Sequence, residues 1–382
     1  MKKTISALGF AVLALAFTNC AGKSKEQANE VRIAFTTPLT GDYAEYGVHF
    51  KNAATLSLER INAEGGINGK PLVIDFYDTK ADPKENAELA RKITQDERYV
   101  MALGDFTTSS CMAAAPIYED AGMVYLSPTA SNPAFAEMGE YLFAMYGTQA
   151  DDAPYVAQYI IQKYLGAKSA GLIYLNTDWG HSALRFFKEK AAEIGLTVTA
   201  EEPISEGEKD FKAIIAKLRR GNPDVLYIMA NASEAANAII QARTSGWDLP
   251  VIPSSSAVTD QLITMLGAYA DGILTNQVYN LSPDDKAVWD FSIQFKERAG
   301  VPMVYFSLLA YDAVWAVSEA ARACGDDLSR KSFRDKLAAI NIQTLLGNYK
   351  FDESGKIRRV YKIVGYKDGG WAEIKGYNYI NE

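Results

Sequence analysis

The chain has only two histidines, His49 and His181, and three cysteines in 382 residues. The histidines are far apart, and neither sits in an HExxH or His–Cys spacing, so the usual zinc patterns are missing. No Gly-x-Ser-x-Gly elbow is present. No GxGxxG follows a strand-like run, so a dinucleotide site is not supported. Gly65-Gly66-Ile67-Asn68-Gly69-Lys70 lacks the glycine spacing of a phosphate loop and follows a helix, so it reads as a helix stop and turn. Basic residues form no block, which argues against nucleic acid. No catalytic set, metal or cofactor is expected from these absences.

What is present begins with an unusual first segment. Lys2 and Lys3 precede an apolar run, Ile5–Phe17, followed by Thr18-Asn19-Cys20. The run is too short to span a membrane. Its order is that of a secretory signal, residues 1–19, followed by a flexible polar tether, residues 20–30. Cys20 stands where bacterial lipoproteins carry their lipid, although Asn19 and Phe17 depart from the usual residues before it. Plain secretion with cleavage near Ala21 is the alternative. Without the signal, 37 of the 39 basic residues remain against 47 acidic ones, a net charge of −10. Cys111 and Cys324 are read as unpaired buried thiols.

From Val31 onward strands alternate with helices, the mark of parallel sheets wrapped on both faces. The length suits two α/β domains. In the first half, strands are expected at Val31–Thr37, Leu72–Tyr77, Val100–Leu103, Met123–Leu126 and Tyr141–Met145. Helices are expected over Val48–Asn62, from Pro83 to Asp96, and up to Asp120. Pro116 falls inside the last of these, so a kink or a start later than Ser109 is expected. A second alternation runs from Asp152 to the short helix at Thr259, with strands at Ser169–Leu175, Leu196–Ala200, Asp224–Met229 and Val251–Ser254. Its longer helices are Asp152–Tyr164, His181–Ile194, Phe211–Arg220 and Ser233–Thr244. Gly272–Tyr279 leads back towards the first half, before helices Pro283–Ala299, Tyr305–Ala323 and Ser329–Ile340. The C-terminal stretch alternates apolar and polar residues around Asp-Glu-Ser-Gly and Lys-Asp-Gly-Gly, a meander signal.

Two of the expected strands empty into hydroxyl-rich turns, Thr107-Thr108-Ser109-Ser110 and Ser127-Pro128-Thr129-Ala130-Ser131. One such turn is ordinary helix capping. Two in succession at the ends of neighbouring strands point to a cleft for a small anion, typically a carboxylate. Tyr43 and Tyr46 lie in the turn after the first strand, and Trp179 lies in Leu175-Asn176-Thr177-Asp178-Trp179-Gly180. Each aromatic alone would pass for core packing. Together with the turns they outline a cleft between two lobes.

In chain order, PLTGDYAEYG, INAEGGINGKPL, YDTKADP, FTTSSCMAAAPIYEDAG, SPTASNP, GEKDFKAIIAKLRRGNPDVLY, AYDAV and YKFDESGKI form one series. This series resembles the periplasmic binding proteins of branched-chain amino acid ABC transporters, the leucine/isoleucine/valine-binding type. The resemblance runs from about Val31 to the C-terminus. It implies an α/β architecture, the type I periplasmic-binding-protein fold, with two Rossmann-like lobes joined by a three-crossover hinge and closing on the ligand. Lobe 1 would comprise 31–147 plus 278–360, and lobe 2 148–277 plus 361–382.

Carried over residue by residue, the resemblance puts the ligand carboxylate on Thr108, Ser109, Thr129, Ala130 and Ser131. It puts aromatic contacts on Tyr46 and Trp179. The acid that meets the ligand ammonium in that family aligns near Ser254, and a second-lobe tyrosine aligns with Asn231, so both positions depart from the pattern. A desolvated ammonium without an anionic partner is costly. Either Asp105 or Asp178 substitutes, or the ligand is a carboxylic acid or an amide-like molecule. The implied function is capture of a small ligand outside the cytoplasm and its delivery to an ABC permease, with membrane contact only through lipid at Cys20. A ligand-presenting sensor and a secreted enzyme on the same fold are the alternatives.

Overall fold

The computed structural model describes residues 29–279 and 283–379. The leader, Cys20 and most of the tether lie outside the described residues. In the first half, β1 (Val31–Thr37), α1 (Ala44–Ala63), β2 (Leu72–Asp78), α2 (Pro83–Gln95), β3 (Tyr99–Leu103) and α3 (Thr108–Asp120) follow one another. Then come β4 (Tyr125–Ser127), the single turn α4 (Ala134–Glu137) and β5 (Leu142–Ala144). The five strands form one parallel sheet in the order β2-β1-β3-β4-β5. β1 and β3 are buried along nearly their whole length, as parallel strands between helices must be.

The second half opens with α5 (Gln149–Tyr155), which runs into the π-helical turns Val156–Tyr164. β6 (Ser169–Leu175), α6 (Asp178–Ile194), β7 (Thr197–Ile204), α7 (Lys212–Arg220), β8 (Val225–Met229), α8 (Ala232–Thr244), β9 (Val251–Pro253) and α9 (Asp260–Leu266) follow. Their four strands form a second parallel sheet, β7-β6-β8-β9. β10 (Leu274–Gln277) then leads to α10 (Lys286–Ala299), α11 (Tyr305–Cys324), α12 (Arg330–Ala338) and the hairpin β11 (Asn341–Thr344) and β12 (Gly347–Lys350). Finally β13 (Tyr361–Lys367) and β14 (Gly370–Tyr379) join β10 in an antiparallel sheet. This is the type I periplasmic-binding-protein fold.

Each sheet anchors its own core. One core joins β1 and β3 to α1, α10 and α11, through Phe35, Phe50, Leu103, Phe295, Leu309 and Val314. α11 is apolar around nearly its whole girth and is correspondingly buried from Tyr305 to Cys324. The second sheet is covered on its two faces by Phe211, Leu226 and Ile239 and by Ile160, Phe187 and Tyr227. Tyr361 and Ile363 of β13 belong to the latter core, so the returning chain is built into the second lobe.

Several boundaries differ from those expected. α1 starts at Ala44 rather than Val48, because the Tyr43 and Tyr46 rings pack on Phe106 and so order the first turn. α3 starts at Thr108 with Pro116 inside it, so the later start does not occur; Thr107 caps it by accepting from the Ser110 amide. α6 starts at Asp178, capped by Thr177, so Trp179 sits in a helical first turn and not in a loop. β7 runs on to Ile204 because it pairs with the whole length of β6, and as an edge strand it tolerates Pro203. Cys111 and Cys324 are both free and buried.

The chain passes between the lobes three times, and buried polar contacts tie the passages together. The Asn276 amide donates to the buried Asp152 carboxylate, joining the first passage to the second. Burial pushes the Asp152 carboxyl up to about 6, opposed by that hydrogen bond. Arg359 donates to the Met145 carbonyl at 2.5 Å, joining the third passage to the first. β10 and β13 are hydrogen-bonded neighbours, which couples the second and third.

Gly104 ends β3 with a φ of +126°, and a Cβ there would lie 2.1 Å from the Thr36 carbonyl oxygen. Gly104→Ala is expected to lower stability by about 1–3 kcal/mol, the scale of a strained backbone position. Thermal denaturation followed by circular dichroism checks this, and an unchanged midpoint would show that β1 and β3 can separate locally.

Candidate functional site

A helix leaves its first amides without partners inside the helix, and its N-terminal end carries partial positive charge. The N-terminal ends of α3, α6 and α8 converge on one cavity between the lobes. α3 contributes Thr107, Thr108 and Ser109, α6 contributes Thr177 and Trp179, and α8 contributes its N-cap Asn231. Asn231 makes no side-chain cap hydrogen bond, which leaves its amide unspent. The described residues lining the cavity include no Lys, Arg or His. An anion placed here would be held by amides, hydroxyls and helix ends alone.

The hydroxyls are not equivalent. The Thr108 hydroxyl oxygen accepts from the Ser131 amide at 3.4 Å, so its hydrogen remains available. The Ser131 hydroxyl accepts from Gln149 at 3.1 Å and keeps its hydrogen as well. The Thr129 hydroxyl lies 2.7 and 2.8 Å from the carbonyl oxygens of Asp105 and Phe106 and donates to that pair. Towards a ligand it is therefore an acceptor only. Phe106, Tyr146, Trp179 and Phe306 make the cavity's aromatic wall. Phe306 meets Phe106 edge-on at 5.4 Å, and Phe106 in turn stacks on Tyr46 at 4.0 Å.

The two lobes touch around the cavity, so the arrangement is a closed one. Tyr43 donates to Glu206 at 2.7 Å, the Tyr146 and Ser255 hydroxyls lie 2.8 Å apart, and the Ala232 amide donates to the Tyr46 oxygen at 3.3 Å. Each of these contacts joins the first lobe to the second.

Comparison with known proteins bears on this geometry. A family model described as periplasmic binding protein matches residues 30–370. The chain belongs to the periplasmic binding protein family. A leucine-, isoleucine-, valine-, threonine- and alanine-binding protein of Pseudomonas aeruginosa is 28% identical over 98% of this chain and 100% of its own length. A Rhodospirillum rubrum protein assigned to a branched-chain amino acid ABC transporter is 30% identical, with a TM-score of 0.70 over 90% of this chain and 100% of that one. A branched-chain amino acid transporter substrate-binding protein of Streptococcus pneumoniae, solved with isoleucine, shares the fold at a TM-score of 0.82. It is 22% identical over 91% of this chain and 100% of that one. Among the described residues of this periplasmic binding protein no helix is long and apolar enough to cross a membrane.

Of the residues singled out in the sequence, Thr108, Ser109, Thr129, Ser131, Trp179 and Asn231 line the cavity. The others stand behind it. Tyr46 is buried beneath Phe106. Ala130 is buried, with its amide donating to the Ser127 hydroxyl at 2.8 Å. Ser254 donates to the Ala230 carbonyl, while its neighbour Ser256 reaches the cavity. Asp105 is 1% exposed and accepts from the Ser110 hydroxyl and the Phe106 amide, so it braces the first turn and does not meet a ligand. Asp178 likewise does not line the cavity. Sequence reasoning missed Phe106, Tyr146, Glu206, Ser256 and Phe306. Phe306 comes from a helix some 200 positions downstream, and Glu206 from a loop beyond an edge strand.

Acidic side chains face one another along the seam between the lobes. Burial pushes the Glu45 carboxyl of α1 up to about 7, with Asp260 and Glu234 of the second lobe adding to the rise. Hydrogen bonds from Thr259 and Tyr46 oppose it, and Gln261 also faces this carboxyl. Burial also raises Glu234, whose neighbours include Glu206 and Asp42. A carboxyl whose folded value exceeds its ordinary 4.5 binds its proton more tightly when folded. Its contribution is therefore lost as pH rises from about 4.5 through 7. Glu45→Gln should match the parent in thermal stability at pH 5 and exceed it at pH 8. Equal melting midpoints at both pH values would show that Glu45 relaxes into water without loss.

Proposed function

We propose that this protein captures a small carboxylate-bearing ligand outside the cytoplasm, closes its lobes over it, and hands it to an ABC permease. The ligand class is a branched-chain or other hydrophobic amino acid, or a related organic acid or amide. Lipid on Cys20 would hold the protein at the membrane surface. The observation that carries this reading is the cavity itself: three helix N-termini, unspent hydroxyls and an aromatic wall, drawn from both lobes and lacking basic side chains. The named binding functions of the Pseudomonas aeruginosa and Streptococcus pneumoniae relatives point the same way. The ligand's carboxylate would lie against Thr108, Ser109 and Ser131, and its apolar part against Phe106, Trp179 and Phe306.

Nothing in this cavity forms a nucleophile–base pair, which favours binding over catalysis. Native mass spectrometry of the purified protein tests the trap. The expected result is a one-to-one complex that releases an unaltered small acid or amino acid. Release of a converted product would overturn the binding role.

Thr108→Val removes the available hydroxyl of the first residue of α3 while keeping its shape. It should weaken binding of the captured ligand by about 1.5–3 kcal/mol, the scale of a charge-assisted hydrogen bond. Titration calorimetry reads this directly, and an unchanged affinity would move the anion subsite away from α3.

A further inference from the structure

We infer that Glu206 is the counter-ion for a positively charged group on the ligand, so that this protein selects zwitterionic amino acids over the corresponding des-amino acids. This deepens the trap reading and rests on it. Glu206 follows β7, and the extension of that strand to Ile204 brings it to the mouth of the cavity. It is the one formally charged side chain among the described residues that line the cavity. The remaining polar lining consists of hydroxyls and the Asn231 amide.

The position of Glu206 is fixed from across the cleft. The Tyr43 hydroxyl of the first lobe donates to its Oε1 at 2.7 Å, while Oε2 has no partner among the described residues. The carboxylate is thus oriented only when the lobes are together, with one oxygen left for a ligand. The Thr129 hydroxyl, having spent its hydrogen on backbone carbonyls, also presents only lone pairs. An anion against the α3 N-terminus and a cation against Glu206 satisfy both ends of one small molecule. A plain carboxylate would leave Glu206 facing the ligand's own negative field, which is unfavourable in a partly dry cavity. The acid that serves the ammonium in the resembling family aligns near Ser254, where this chain has three serines and no carboxylate. The second lobe therefore supplies its carboxylate from a different loop.

The test is calorimetry on the full mature chain with the twenty standard amino acids and their des-amino counterparts, leucine and 4-methylpentanoate among them. The parent protein should bind at least one amino acid at least tenfold more tightly than its des-amino partner. Glu206→Gln should lose at least tenfold for that amino acid and bind the des-amino acid as well as before or better. Tyr43→Phe, which keeps the charge and frees the carboxylate, should weaken both ligands while keeping the preference. Glu206 is exposed at the cavity mouth, so the Gln variant should fold, which its melting midpoint confirms. Equal losses for both ligands in Glu206→Gln, or no loss for either, would overturn the role of Glu206 and leave the trap standing. Parent protein that prefers des-amino acids would overturn the counter-ion while supporting a carboxylate trap. Parent protein that binds neither class would overturn the trap and the counter-ion together.

Discussion

The constraint on which this structure turns is the unsatisfied first turn of an α-helix. Backbone amides there have no partner within the helix, and burying them unpaired is costly. The fold collects three such ends, those of α3, α6 and α8, around one cavity rather than covering each separately. Thr107 and Thr177 cap one amide each and leave the others of their turns to the cavity. A negatively charged group satisfies those amides without a basic side chain, which also spares the protein a buried lysine or arginine. The parallel sheets follow from the same demand, because every strand-to-helix connection at their carboxyl edges delivers a helix N-terminus to the same side.

Holding those ends in register requires that the lobes move as units. The hinge is accordingly polar, and a few buried hydrogen bonds cross-link its passages. Asp152 with Asn276 and Arg359 with the Met145 carbonyl join the three passages, and the Tyr305 hydroxyl donates to the Tyr146 carbonyl beside them. Buried pairs of this kind add little net stability, yet breaking one leaves a lone polar group in a dry place. They therefore favour a small number of defined arrangements over a loose linker. Tyr146 extends this from hinge to cavity, since its ring lines the site while its hydroxyl meets Ser255 of the other lobe.

The fold and the hydroxyl-rich lining of the cavity were legible in the sequence because both rest on local signals. Alternating strands and helices, paired hydroxyl-rich turns and the order of the family segments are all short-range features. Thr108, Ser109, Thr129, Ser131 and Trp179 were found that way, and they line the cavity. What was not legible depended on distant packing. Tyr46 looked like a loop aromatic, but its ring completes a stack whose other member, Phe106, is the one that reaches the site. Asp105 stood as a candidate partner for a ligand ammonium, but hydrogen bonds from the Ser110 hydroxyl and the Phe106 amide turn it inward. Glu206 lies beyond the strand end expected at Ala200, and the full-length pairing of β7 with β6 carries it to the cleft.

The acidic seam gives closure a direction. Asp42 and Glu45 on one lobe come to face Glu206, Glu234 and Asp260 on the other only when the lobes meet. Like charges brought together in a partly desolvated seam oppose that approach, while the cross-lobe hydrogen bonds of Tyr43, Tyr46 and Tyr146 favour it. A trap that closed readily when empty would hide its own site, and the ligand's apparent affinity would fall by the fraction already shut. In the proposed trap, repulsion along the seam would keep that fraction low. A bound ligand would then tip the balance by filling the amide ends that closure otherwise leaves bare. If the ligand also brings positive charge beside Glu206, it relieves part of the repulsion at the same stroke. Recognition and closure would in that case draw on the same carboxylate.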